Sequence, residues 1–201
     1  MAKAALRDQL LTARRRRSLL EIGQSAQAIC AHLLAADPVR RAASVAAYVS
    51  VGSEPGTTPL LLALRAAGKR VLLPVLLPDG DLDWAAYEGE SSLAPARRGL
   101  LEPTGRRLGV DAIATPDVVL VPGLAVDERG MRMGRGGGSY DRALARVPVG
   151  TFTCVLLFED EVARDVPVEA HDRPVGAAVT PTGLHVFPGT SPSALPPDVG
   201  A

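Results

Sequence analysis

The residues from Met131 to Arg142 carry the densest chemistry in the chain: Met131-Arg132-Met133-Gly134-Arg135-Gly136-Gly137-Gly138-Ser139-Tyr140-Asp141-Arg142. Four glycines fall in five positions, arginines flank them, and an aspartate follows within one helical turn. Glycine permits positive φ and close backbone approach, so successive N–H groups can converge on an anion. A helix starting at Ser139 would add the positive end of its dipole. Asp141 is then placed to hold the magnesium that accompanies such a phosphate. The loop is not a Walker A sequence, since no lysine with Ser or Thr closes it, and its spacing is not that of the dinucleotide fingerprint. A glycine cluster also fits a flexible turn. The flanks favour a phosphate site: Asp117-Val118-Val119-Leu120-Val121-Pro122-Gly123 reads as a buried strand and Ser139–Arg146 as a short helix. That order puts the glycines at the carboxyl edge of a sheet, where α/β folds bind ligands.

The surrounding elements follow from periodicity. Lys3–Leu34 is helical by content, with Leu6, Leu10, Ala13, Leu20, Ile29 and Leu33 near helical spacing and a break expected at Gly23. Lys3 and Arg7 are four apart and share a face, about 6 Å apart along the axis. Arg14-Arg15-Arg16-Arg17 spreads around the helix and reads as a solvated face. Ser44–Val51 and Arg70–Leu77 read as strands joined by a helix over Thr57–Ala67 that ends at Gly68, a βαβ unit with a parallel pair. Glu54 follows the first of these strands, on the glycine loop's side of the sheet. Asp81–Glu88 reads as an edge strand or hairpin, and Ser91–Arg107 as a long loop of the kind that covers a site. Thr151–Phe158 and Gly176–Thr180 are further strands. The pattern is an α/β fold with a mainly parallel sheet. One domain over 1–187 is expected, with a Pro-, Gly- and Ser-rich tail, 188–201, expected to be disordered.

Composition narrows the function classes. Lys+Arg and Asp+Glu both number 22, so no overall charge favours nucleic acid or a membrane surface. Hydrophobic residues make up 47% of the chain and aromatics 3%, so the core rests on Ala, Val and Leu. No apolar run reaches membrane-spanning length and no signal-peptide pattern opens the chain, so a cytoplasmic protein is expected. Cys30 and Cys154 are read as buried free thiols. His171 and His185 have no partner at ligand spacing in the sequence, so metal binding by histidine is not expected.

Several separated segments, in order, resemble the 5-formyltetrahydrofolate cyclo-ligase (methenyltetrahydrofolate synthetase) family. They are Lys3-x-x-x-Arg7, Ala47-Tyr48-Val49-Ser50 with Glu54 and Thr57, Gly68-Lys69 with Leu73-Pro74, and Gly99 with Glu102-Pro103. Then come Val121–Asp127, Gly130, the arginine–glycine run to Arg142, Val166-Pro167-Val168 with His171-Asp172, and Val179-Thr180-Pro181. The resemblance spans nearly all of 3–183. It implies a single three-layer α/β/α, Rossmann-like domain and an ATP- and magnesium-dependent ring closure of 5-formyltetrahydrofolate to 5,10-methenyltetrahydrofolate, with ADP and phosphate released. It also implies that Lys3, Arg7, Arg132, Met133, Gly134, Arg135, Gly136, Gly137, Gly138, Ser139 and Tyr140 meet ATP. Val49, Glu54 and the segment Arg135–Ser139 would meet the folate, Glu54 through the N–H donors of the pterin, and Asp141 and Asp172 would hold Mg2+. The implied partners are ATP and the folate, with or without a polyglutamate tail; the chain is expected to act as a monomer without nucleic acid or membrane. Two positions depart from the family pattern: Ser139 stands where many relatives carry an aromatic residue, and Arg135 where tyrosine is frequent. A non-catalytic folate or nucleotide binder, a different ATP-dependent ligase on the same scaffold and, weakest, a nucleic-acid-binding module built on the arginine run are the competing readings.

Overall fold

A computed structural model describes residues 3–188. The tail expected to be disordered therefore lies, apart from Pro188, outside the described residues. Val118, Val119, Leu120 and Val121 are all buried, as a strand covered on both faces requires. They belong to β6 (Val118–Pro122), the middle of a seven-stranded sheet. Its neighbours are β1 (Ser44–Ala46) on one side and β9 (Phe152–Leu156) on the other, both parallel to it. Beyond β1 lie β2 (Arg70–Leu76), parallel, and the edge strand β3 (Leu82–Ala86), antiparallel. Beyond β9 lie β10 (Ala177–Thr180), parallel, and β11 (Gly183–Val186), antiparallel. The expected mainly parallel sheet is thus five parallel strands with one antiparallel strand at each edge.

Apolar side chains fill both sheet faces, giving the three-layer α/β/α architecture. On one face α2 (Leu19–Ala35) and α4 (Thr58–Ala66) contribute Ile29, Leu33, Leu60 and Leu64 against Val45, Val71, Val118 and Leu156. On the other face α5 (Ser139–Ala145) contributes Ala143 and Leu144 beside Trp84, Ile113, Val119 and Val155. Cys30 and Cys154 are free and buried, as expected, and burial pushes both thiols up from their ordinary value. A five-residue helix, α3 (Asp37–Arg41), leads into β1. Among the described residues no helix is long and apolar enough to cross a membrane.

Several elements differ from the sequence reading. The helical break lies at Arg16–Ser18, between α1 (Lys3–Arg15) and α2, and Gly23 sits inside α2. Ser18 and Glu21 cause this: the Ser18 hydroxyl accepts the Glu21 N–H at 3.2 Å, and the Glu21 carboxylate accepts the Ser18 N–H at 2.7 Å. That reciprocal cap outweighs one glycine, which helix interiors tolerate. Ser91–Arg107 is not structureless; it contains a small ladder of β4 (Leu93–Pro95) and β5 (Leu101–Pro103). The connection after β6 likewise folds into β7 (Ala125–Val126) and β8 (Arg132–Met133). Such short pairings leave no alternating signal long enough to read.

The order β11-β10-β9-β6-β1-β2-β3 reverses direction between β1 and β6. The chain moves outward from β1 to β2 and β3, then returns to β6 on the other side of β1. Loops after β1 and β6 therefore diverge and leave a crevice at the carboxyl edge. Glu54 and the glycine loop both lie there.

Candidate functional site

The crevice is built from four chain segments. The first is the turn after β1, which carries Glu54. Glu54 is only 7% exposed; its Oε2 accepts the Val51 N–H at 2.8 Å and its Oε1 accepts Arg135 Nε at 3.1 Å. A hydroxyl–backbone exchange between Ser50 and Thr57 closes the base of this turn, with Ser50 N donating to Thr57 Oγ1 at 2.9 Å and Thr57 N to Ser50 Oγ at 3.1 Å. Val49, the preceding residue, is half-buried against the core.

The second segment is the glycine loop, which runs from β8 into α5. Arg132 is 3% exposed; its Nη1 donates to Pro122 O at 3.1 Å, and its Nη2 to Asp141 Oδ1 at 3.0 Å. Its Nε is buried with no hydrogen-bond partner among the described residues. The guanidinium lies 5.9 Å from the Tyr140 ring centroid, a cation–π arrangement. Three of the four glycines lie close under arginine side chains. A Cβ at Gly134 would stand 2.7 Å from Arg132 Nη1, and one at Gly138 would stand 3.2 Å from Arg142 Nη1. Gly136 has φ of 97° and a Cβ there would stand 3.1 Å from Arg7 Cζ. The loop is thus a backbone saddle with three guanidinium groups pressed onto it. α5 has only seven residues, so this arginine cage contributes more positive charge than the short helix end that the sequence suggested.

The third segment is α1. Leu6 and Leu10 seat it on Leu124, Ala125, Met133 and Val166, directly over the β7–β8 ladder. Arg7 Nε donates to Gly134 O at 3.2 Å. One turn earlier, Lys3 Nζ lies 2.7 Å from Asp172 Oδ2 and 3.1 Å from Glu169 Oε2. Asp172 and Glu169 belong to the fourth segment, the connection into β10. It is tied to the glycine loop by the Arg173 N–H, which donates to Asp141 Oδ1 at 3.3 Å. Burial opposes ionisation of Asp172, but bonds from Lys3 and the Glu169 N–H prevail and hold its carboxyl below the usual aspartate range. Burial also works against the Lys3 ammonium; its two carboxylate partners outweigh that and raise its pKa.

Sequence-predicted residues therefore converge. Lys3, Arg7, Arg132, Arg135, Gly134, Gly136, Gly137, Gly138, Asp141, Asp172 and Glu54 line adjoining parts of one sheet edge. Met133 does not present its side chain there: it is fully buried beneath α1. Tyr140 leans inward against the core, and burial together with the Glu54 charge raises its pKa. Ser139 is half-buried at the first position of α5.

Three features escaped the sequence. Arg142 reaches back to Gly80 O at 2.6 Å and Gly137 O at 3.2 Å, tying the glycine loop to the turn before β3. The Tyr48 hydroxyl is buried with no hydrogen-bond partner among the described residues, and burial and the nearby Glu54 carboxylate push its pKa well up. His171 has carboxylate neighbours after all: its Nε2 is 3.4 Å from Glu169 and 3.7 Å from Asp172. The three form a group whose ligand atoms lie within 4.8 Å of one another. The pairing arises because residues 169–172 fold back on themselves, which spacing alone does not reveal; its two carboxylates are already bridged by Lys3.

The donor set fits a magnesium nucleotide. Asp141 and Asp172 offer hard carboxylate oxygens on neighbouring segments, the ligand type that Mg2+ prefers. The cations beside them and the glycine saddle suit the phosphates that such an ion accompanies.

Residues 1–181 match the model of the 5-formyltetrahydrofolate cyclo-ligase family. The chain is 41% identical over 143 residues to the 5-formyltetrahydrofolate cyclo-ligase of Mycolicibacterium smegmatis, covering 69% of this chain and 73% of that protein. It is 36% identical over 170 residues to the enzyme of the same name from Escherichia coli K12, covering 81% and 89%. The NMR structure of Aquifex aeolicus 5,10-methenyltetrahydrofolate synthetase superposes with a TM-score of 0.81 at 25% identity, covering all of both chains.

Proposed function

Because this chain belongs to the 5-formyltetrahydrofolate cyclo-ligase family, we propose that it closes 5-formyltetrahydrofolate to 5,10-methenyltetrahydrofolate at the β1/β6 crevice, at the expense of ATP. The observation that carries the reading is the meeting of Glu54 and the arginine-caged glycine loop at one topological switch point. The formyl carbon of a formamide is a poor electrophile and its oxygen a poor leaving group. Transfer of the γ-phosphoryl group from ATP to that oxygen releases ADP and leaves an iminium phosphate. N10 of the folate then attacks the activated carbon and gives up its proton, the C–O bond breaks, and inorganic phosphate leaves with the formyl oxygen as the ring closes.

The chain's contribution is positioning and charge neutralisation, which dominate phosphoryl transfer. Lys3, Arg7, Arg132 and Arg135, with the backbone of Gly134–Ser139, take the phosphates. Glu54 accepts paired N–H donors of the pterin, with Val49 and the Arg135–Ser139 backbone lining the folate. Asp141 and Asp172 hold the magnesium ion, which when bound offsets charge on the phosphoryl oxygens. The Tyr140 ring, 5.9 Å from the Arg132 guanidinium, adds a cation–π contact that favours this placement of the cation. A cytoplasmic monomer is part of the reading.

The test is spectrophotometric. The purified chain with 5-formyltetrahydrofolate should develop the absorbance of the conjugated amidine product only when MgATP is added, and the Asp141→Asn variant should not. A folded protein that binds both ligands without that band is a binder or acts on another acceptor, and the reading fails.

A further inference from the structure

Arg14 is the least expected residue in the chain. It sits in a run of four arginines, yet its side chain is wholly buried. Nε donates to Glu161 Oε1 and Nη2 to Glu161 Oε2, both at 2.7 Å, and Nη2 also donates to Gly123 O at 2.6 Å. Glu161 is itself fixed, its Oε2 accepting the Phe158 N–H at 3.0 Å, and the Phe158 ring lies 5.6 Å from the Arg14 guanidinium.

A buried ion pair is an inefficient way to hold a helix, since well-packed apolar side chains of the same volume do so as well or better. What a bidentate arginine–carboxylate pair adds is direction: the planar fork accepts one angle and one depth. α1 needs that direction. Leu6 and Leu10 seat it in a small apolar cluster, a contact that tolerates sliding and rotation, and its remaining polar ties come from Lys3 and Arg7, the residues to be placed, and from Arg17 at Asp160 and Phe158 just beyond the helix. Arg14 lies seven residues after Arg7 and eleven after Lys3. At 100° and 1.5 Å per residue all three share a face, and Lys3 lies about 16 Å up the helix from Arg14.

The anchor point is informative. Gly123 directly follows Pro122, and the carbonyl of Pro122 holds Arg132. Two consecutive carbonyls at the end of β6 therefore index two arginines: Arg132 in the glycine loop and Arg14 in the helix that lies over that loop.

We propose that Arg14, locked between Glu161 and Gly123 O, is a positioning residue that sets the register of α1 and so places Lys3 and Arg7 at the nucleotide phosphates. It does not touch substrate. The inference rests on the reading that Lys3 and Arg7 take the phosphates, and the experiment separates the two. Binding of a non-hydrolysable ATP analogue with Mg2+, and separately of 5-formyltetrahydrofolate, is measured by calorimetry on the full chain. The wild-type chain is compared with Arg14→Met/Glu161→Gln, which keeps the volume and an acceptor for the Phe158 N–H, and with Arg14→Lys, which keeps the charge and loses the fork. A charge-assisted contact to a phosphate is worth on the order of tenfold to 100-fold in affinity, so misplacing Lys3 and Arg7 should lower analogue affinity between tenfold and 100-fold in both variants. Folate affinity should change by less than about threefold, because none of the residues assigned to the folate, Val49, Glu54 and Arg135–Ser139, belongs to α1. A purely structural role would lower the melting temperature and the folded fraction but leave the affinity of the folded protein alone. Unchanged analogue affinity in either variant overturns the proposal, and wild-type affinity in Arg14→Lys alone would assign the effect to charge instead of register. If the wild-type chain itself fails to bind the analogue, the reading of the site fails and the inference falls with it.

Discussion

Replacing Gly123 by alanine probes how closely β6 and β9 meet beside the site. Gly123 is not among the glycines of positive φ, so its need for glycine is spatial. A Cβ there would stand 2.6 Å from Val155 Cγ2, 3.3 Å from Arg132 Cγ and 3.5 Å from Leu157 Cδ2. Favourable carbon–carbon contacts lie at about 3.5–4.0 Å, so the first is short by about 1 Å. None of the three partners can simply rotate away. Val155 and Leu157 are fully buried, and Arg132 is held by both Pro122 O and Asp141. The strands must part, which costs about 1–3 kcal/mol. In a chain of this size that lowers the melting temperature by about 2–4 °C per kcal/mol, or about 2–12 °C in all. A double-mutant cycle isolates the cause. Val155→Ala alone should cost about 1–3 kcal/mol through lost methyl contacts and a cavity. Combined with Gly123→Ala, the new methyl enters the vacated space, so the pair should cost about 1–2 kcal/mol less than the two singles together. Urea unfolding of the four proteins gives the coupling. Energies that add to within about 0.5 kcal/mol would refute the steric argument.

Three further outcomes follow from local geometry. Ser18→Ala should lose about 1 kcal/mol through the broken reciprocal cap, whereas Gly23→Ala, with open space around its Cβ, should gain about 0.5–1 kcal/mol as an interior helical position. Loss of stability in Gly23→Ala, measured by urea midpoint, would mean that the helix breaks at that glycine. The bidentate bond from Arg146, at 2.9 Å and 2.6 Å, holds the Asp81 carboxyl below the usual aspartate range. Its stabilisation is complete above the ordinary aspartate pKa and is lost as pH falls through the depressed folded value. Asp81→Asn should therefore lower the urea midpoint at neutral pH, with the difference from wild type narrowing in acid; a difference that stays constant with pH would show that the pair contributes nothing through ionisation.

Much of the site was legible in the sequence because its parts are local. The glycines of 134–138 announce a backbone that must come close to other groups, and the structure supplies those groups as Arg7, Arg132 and Arg142. The unbroken apolar run of β6 marks a strand covered on both faces, and the βαβ unit around α4 follows from helical and strand periods that succeed one another cleanly. Order along the chain also placed Glu54 and the glycine loop on the same sheet edge, since both follow parallel strands.

What the tertiary structure alone decided is partnership over long separations. Arg14 reads as solvated because its neighbours are arginines, and only the meeting of α1 with the turn after β9, 147 residues away in sequence, turns it inward. The Lys3–Asp172 and Arg135–Glu54 pairs, separated by 169 and 81 residues, likewise depend on the strand order. Periodicity reports which face of an element is apolar, because burial acts on each residue by itself. Which charge meets which is a property of two surfaces brought together, and no single stretch of sequence contains both.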